Sequence, residues 1–165
     1  MPPTIKPQTF AHVVYRTRRF DEMLAWYQTV FGATVQFQSP ALAFLTYDHE
    51  HHRFAILNLT VLQPEEAPNP AGNRHSQIDH VAYGYRSLTE LCEKFAELRQ
   101  KDILPYWCVH HGITISMYYA DPDGNRMEFQ ADCFKSNEEA NAFLEGPHFL
   151  TNPIGVEFEP EQLLA

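Results

Sequence analysis

The chain has 165 residues, 44% of them hydrophobic and 13% aromatic, enough to bury the core of one domain or of two half-size modules that share one. Its formal net charge of -9, with no stretch more basic than Arg16, Arg18 and Arg19, argues against a nucleic-acid surface. Cys92, Cys108 and Cys133 are odd in number and widely spaced, so neither a disulfide framework nor a zinc cluster is indicated, and no run approaches the roughly 20 apolar residues of a membrane span or the core of a secretion signal. The expectation is a cytoplasmic protein with no nucleic-acid or membrane partner, with a homo-oligomer left open.

After a Pro-rich entry, residues 10–15 (FAHVVY) alternate around a histidine and read as a strand. Residues 20–31 place Phe20, Met23, Leu24, Tyr27, Val30 and Phe31 on one helical face, and Gly32 ends that helix. Residues 34–37, 41–47 and 51–59 read as three further strands, the last entered through the polar turn Asp48-His49-Glu50. From 63 to 74 the composition shifts to Pro, Glu, Asn and Gly, which marks a linker.

The pattern then begins again. Residues 78–83 (IDHVAY) match residues 10–15 at an offset of 68, superposing His80 on His12 and Tyr83 on Tyr15. A helix follows, with Ser87 and Glu90 spaced as a capping box and Leu88, Leu91, Phe95 and Leu98 as its apolar face. Residues 103–109, 114–119 and 125–130 read as strands. The tail from Lys135 carries one more capping box, Ser136 with Glu139, and a stop at Gly146-Pro147. Both halves read strand, helix, strand, strand, strand. The fold class is therefore α+β, two tandem βαβββ modules over about 8–62 and 76–132 that form a curved, partly open mixed sheet barrel within a single domain over 1–165.

The segment 110–129 concentrates the chemistry. Its DPDGN turn, with Pro122 fixing φ and Gly124 free to take positive φ, joins two strands and places Tyr118 and Glu128 on neighbours. Met127 and Phe129 flank Glu128, and an ionised carboxylate in such a setting needs a cation or donor. His12 and His80, at equivalent positions of the two opening strands, supply one. Two imidazoles and one carboxylate make a facial triad with open positions, which suits Fe(II), with Mn(II), Co(II), Ni(II) and Zn(II) as rivals. The matching strand of the first half, over 54–57, carries no carboxylate, so one metal site is expected and not two.

At these residues the chain resembles the vicinal oxygen chelate superfamily of glyoxalases, bleomycin-resistance proteins, fosfomycin-modifying enzymes and type I extradiol dioxygenases. Within it, Val109-x-His111, Met117-Tyr118, Asp121-Pro122-x-Gly124 and Glu128 look like the extradiol pattern at the family's spacing. The likeness is to its small single-domain, biphenyl-2,3-diol 1,2-dioxygenase-like members, since many extradiol enzymes carry a second, metal-free pair of modules that this chain lacks. The resemblance implies that His12, His80 and Glu128 ligate iron, that Tyr118 hydrogen-bonds a catecholic oxygen, that His52 of the pair His51-His52 moves protons near the O2 site, and that His111 is the motif histidine. The residues alone leave open whether His110 or His111 faces inward, because successive strand residues point to opposite sides.

The implied activity is extradiol cleavage of a small aromatic diol with O2 as co-substrate, in aromatic catabolism. Tyr106, Trp107, Phe44 and Tyr119 are candidates for an aromatic pocket wall. Two other classes share the fold: a metal-dependent isomerase or lyase, which would ordinarily use a second carboxylate, and a non-catalytic module that binds an aromatic drug without a full metal triad.

Overall fold

The computed structural model describes residues 10–64, 78 and 80–164. The chain divides into two compact units, Met1–Gly72 and Asn73–Ala165, and each is a βαβββ module as the repeat implies.

In the first unit β1 (Val13–Thr17) leads into α1 (Phe20–Phe31), followed by β2 (Thr34–Gln38), β3 (Leu42–Thr46), β4 (Phe54–Asn58) and one helical turn, α2 (Leu59–Leu62). The sheet order is β1-β4-β3-β2, with β1 parallel to β4 and the other pairs antiparallel. Helix α1 forms where its apolar spacing places it, burying Phe20, Met23, Leu24, Tyr27 and Val30, and it ends at Gly32 in the left-handed conformation. It lies on the strand pair β1–β4: the Tyr27 ring is 4.6 Å from Phe54 and 5.3 Å from Tyr15. Each such fully buried side chain contributes roughly 1.5–3 kcal/mol relative to exposure.

The second unit repeats this with β5 (Val81–Tyr85), α3 (Leu88–Arg99), β6 (Trp107–His110), β7 (Thr114–Ala120) and β8 (Arg126–Asp132). The tail adds α4 (Asn137–Leu144), α5 (Pro147–Thr151), β9 (Val156–Glu157) and a final 3-10 turn (Pro160–Leu164), so the sheet order becomes β5-β8-β7-β6-β9. Ser87 Oγ caps α3 by accepting from Glu90 N–H at 3.2 Å, and Ser136 caps α4 through Glu139 N–H at 3.3 Å. Each box glutamate reaches back one residue further than expected, to the N–H of Arg86 and of Lys135. Gly146-Pro147 stops α4 and also starts α5, with Pro147 in its first turn.

The opening strands begin later than the sequence suggests. Val13 pairs with Phe54 and Val81 with Met127, so His12 and His80 each sit just before their strand, level with Arg53 and Arg126. His51 and His52 lie in the turn that precedes β4, and β6 starts only at Trp107. Of the expected linker, only Gln63 and Pro64 fall within the described residues.

The registers align the two modules residue by residue. Across the second sheet runs the row Ala82, Glu128, Tyr118, Trp107; across the first, the equivalent row is Val14, Ala55, Phe44, Phe37. Residues opposite one another share a face. Glu128 and Tyr118 therefore look one way, while Met117, Tyr119, Met127 and Phe129 look the other, where α3 contributes Leu91, Phe95 and Leu98 to the core.

Candidate functional site

In the second unit Glu128 occupies an inner strand, with β5 on one side and β7 on the other, and is only 6% exposed. At that burial an ionised carboxylate is costly without positive or hydrogen-bonding neighbours. His80, from just before β5, brings Nε2 to 2.9 Å from Glu128 Oε2, and its ring stands edge-on to Tyr118 at 5.4 Å. His111, one residue past β6, places Nε2 3.0 Å from the Tyr118 hydroxyl and 3.9 Å from Glu128 Oε1. Two imidazoles, a phenol and a carboxylate thus meet on one sheet face. The Trp107 ring lies 4.8 Å from that of Tyr118 and the Tyr106 ring 6.3 Å, so both stand beside the cluster.

Alternation settles the histidine pair. His110 is exposed, and its Nδ1 accepts from Gly112 N–H at 2.9 Å, whereas His111 turns to Tyr118. Alternation also corrects one expectation: Tyr119 faces the α3 side, with its ring 5.0 Å from Phe129 and its hydroxyl near Met117 Sδ, and burial pushes its pKa upward. It is core, not pocket wall.

In the first unit, His52 lies between Phe44 and His12, with ring centroids 4.4 Å away on each side. Its Nδ1 is 2.6 Å from His51 Nδ1, so one of the two rings carries the shared proton. Burial lowers the His52 pKa, and the nearby rings of His12 and His51 lower it further while Glu50 opposes them. A lowered pKa favours the neutral ring, the form that can accept a proton.

Arg53 organises this loop, and sequence reasoning missed it. Its guanidinium grips Asp48 through Nε at 3.1 Å and Nη2 at 2.9 Å, while Nη1 donates to the carbonyls of Phe10 and, at 3.0 Å, Ala11. One side chain thereby ties the segment leading into His12 to the turn carrying His51 and His52. Arg53 holds the Asp48 carboxyl below the usual carboxylate range. The signal was present in the repeat: residues 48–53 (DHEHHR) and 121–126 (DPDGNR) are turns of equal length at an offset of 73, each opening on Asp and closing on Arg. In both, the aspartate Oδ1 accepts from the N–H two residues on, Glu50 at 3.0 Å and Asp123 at 3.0 Å. The second turn also has Gly124 at φ 82°, where the first has His51.

The structure therefore gathers His80, His111, Tyr118 and Glu128 in one unit and His12 with His52 in the other. Among the described residues no three or more His, Cys, Asp or Glu side chains form a ready-made metal cluster; His80 and Glu128 converge as a pair. An open cavity of about 510 Å³ lies between the end of β6 and the tail, lined by His110, His111, Phe143, His148, Val156 and Phe158. No helix among the described residues is long and apolar enough to cross a membrane.

Comparison with known proteins places the fold in a family. The family model described as the glyoxalase/bleomycin resistance protein/dioxygenase superfamily matches residues 9–129. Biphenyl-2,3-diol 1,2-dioxygenase 2 of Rhodococcus globerulus is 43% identical over 152 residues, which span 92% of this chain and 77% of that protein. Biphenyl-2,3-diol 1,2-dioxygenase 3 of the same organism is 39% identical over 158 residues, 95% of this chain and 80% of that one. A glyoxalase/bleomycin resistance protein/dioxygenase crystal structure from Nocardioides shares the fold at a TM-score of 0.61 and 18% identity, covering 81% of this chain and 89% of its own. With two βαβββ modules in place and relatives of this identity covering nearly its whole length, the chain belongs to the glyoxalase/bleomycin resistance protein/dioxygenase superfamily.

Proposed function

We propose that this protein is an extradiol ring-cleaving dioxygenase that opens a small catecholic aromatic with O2, using Fe(II), with Mn(II) as the rival metal. The observation that carries the reading is the meeting of His80, Glu128, Tyr118 and His111 on one sheet face, in a chain whose relatives at 43% and 39% identity are both biphenyl-2,3-diol 1,2-dioxygenases.

The residues suit a divalent metal. Glu128 is an anionic oxygen donor nearly out of solvent, and His80 turns a neutral nitrogen donor to within 2.9 Å of it. His12, which precedes β1 as His80 precedes β5, is the proposed third ligand. Bound there, the metal supplies Lewis acidity and a template for both diol oxygens and for O2.

The remaining steps belong to side chains. Tyr118, fixed by Trp107 and His111, hydrogen-bonds a substrate oxygen; His52, whose pKa burial lowers, accepts the proton that a diol releases on binding and returns it as the ring opens. The absence of a carboxylate at Ala55, the counterpart of Glu128, supports this reading over the isomerase type.

Anaerobic loading with Fe(II), followed by 2,3-dihydroxybiphenyl and then air, tests it: a yellow ring-opened product is expected, and a metal-loaded protein inert to a panel of vicinal diols overturns it. The variant Glu128→Ala is expected to lose nearly all bound iron in metal analysis; full iron content in that variant removes Glu128 from the ligand set.

A further inference from the structure

The tail beyond β8 lies outside both modules, yet it reaches the site. Strand β9 joins the sheet by pairing Glu157 with Val109 and Val156 with His110, and it is pinned there by Trp107 Nε1–H donating to Glu157 Oε1 at 2.7 Å and Phe158 N–H to Cys108 O at 3.2 Å. The turn before β9 is closed by Asn152, whose Nδ2 donates to Gly155 O at 2.6 Å while its Oδ1 accepts from Gly155 N–H at 3.0 Å. The turn delivers the Ile154 carbonyl to within 2.5 Å of His111 Nδ1.

A carbonyl can only accept, so His111 Nδ1 must carry the hydrogen. In a neutral imidazole the other nitrogen is then an acceptor. That nitrogen, Nε2, is the one 3.0 Å from the Tyr118 hydroxyl, so the Tyr118 O–H donates its hydrogen bond to His111.

We infer that the 152–155 turn is a positioning element of the site: it fixes His111 as the Nδ1–H tautomer, and thereby makes Tyr118 present oxygen lone pairs, not a proton, to an incoming hydroxyl. The part concerning the hydroxyl rests on the proposed function. Gly155 makes the approach possible. Its φ is 101°, and a Cβ there would stand 2.1 Å from His110 O and 2.8 Å from His111 Cα, both backbone atoms that cannot swing aside.

The test uses the full chain, 15N-labelled and metal-free, with the His111 ring signals assigned by their loss in His111→Gln. Long-range 1H–15N correlation at pH 7.5 is expected to show the ring protonated at Nδ1 and bare at Nε2. In Gly155→Ala, and in the milder Asn152→Ala, the ring is expected to average between tautomers, with diol turnover falling roughly 10- to 100-fold at unchanged iron content, the range seen when a supporting hydrogen bond is lost. A wild-type ring protonated at Nε2 overturns the inference. So does a variant in which the β9 amides lose exchange protection while His111 keeps its Nδ1–H form. If the tautomer behaves as expected but no diol is cleaved, the turn's hold on His111 stands and the dioxygenase reading falls.

Discussion

Ala55 and Glu128 occupy one position in two copies of a module, and Phe44 and Tyr118 another. At these two positions one sheet face carries an alanine and a phenylalanine where the other carries a carboxylate and a phenol. The apolar face keeps a task, because Phe44 supports His52 from one side while His12 lies on the other. Arg53 holds both histidine segments, so Arg53→Met is expected to weaken iron binding roughly 10- to 100-fold, measured by competition with a chromophoric chelator; an unchanged isotherm would show that His12 needs no such support. Its partner Asp48 has a depressed pKa, and a depressed carboxylate adds stability that is complete above its unfolded value near about 3.9 and disappears as pH falls through the folded value. Urea unfolding should find Asp48→Asn less stable than wild type by about 1 kcal/mol at pH 7, with the difference gone by about pH 2. An equal difference at both pH values would mean that packing, not charge, links the pair.

Among the elements, helices were the most legible. Helix α1 has the bounds that its apolar spacing indicates, and the caps Ser87 and Ser136 are where the S-x-x-E pattern puts them, because helical signals are local. Strand bounds were less legible. A strand lasts only as long as its ladder does, so His12 falls outside where β4 has not yet begun, while His80 precedes β5 level with Arg126, the first residue of β8. The likeness between Arg53 and Arg126 was visible only once the repeat had been carried through the turns, and the role of the 152–155 turn left no pattern at all, since a carbonyl meeting a ring nitrogen carries no side-chain signature. Helix α3 offers a direct check on packing: Phe95 is 1% exposed, and Phe95→Ala should cost about 3–5 kcal/mol in denaturant unfolding. A loss below about 1 kcal/mol would mean that the face of β8 opposite Glu128 does not depend on this helix.

At the scale of the whole molecule, duplication explains most of what the sequence revealed. A single module would be hard to recognise by itself, but two copies identify the opening strands and helices at an offset of 68 and the last hairpins at an offset of 73. The repeat also marks where its own logic ends. Everything after Asp132 lies outside the duplicated pattern, and the sequence analysis assigns it no chemistry.

That tail has a second consequence, for the behaviour of many molecules at once. Without β9, strand β6 would be the last in its sheet, and its unpaired N–H and C=O groups would form a template on which another chain could add. Pairing with only Val156 and Glu157 caps part of that rim and ends it in a short segment carrying an acidic residue. A chain cut after Glu145 is therefore expected to self-associate, with light scattering that rises steeply with protein concentration while the full chain stays clear. If the shortened protein stays clear at matched concentrations, β6 needs no guard.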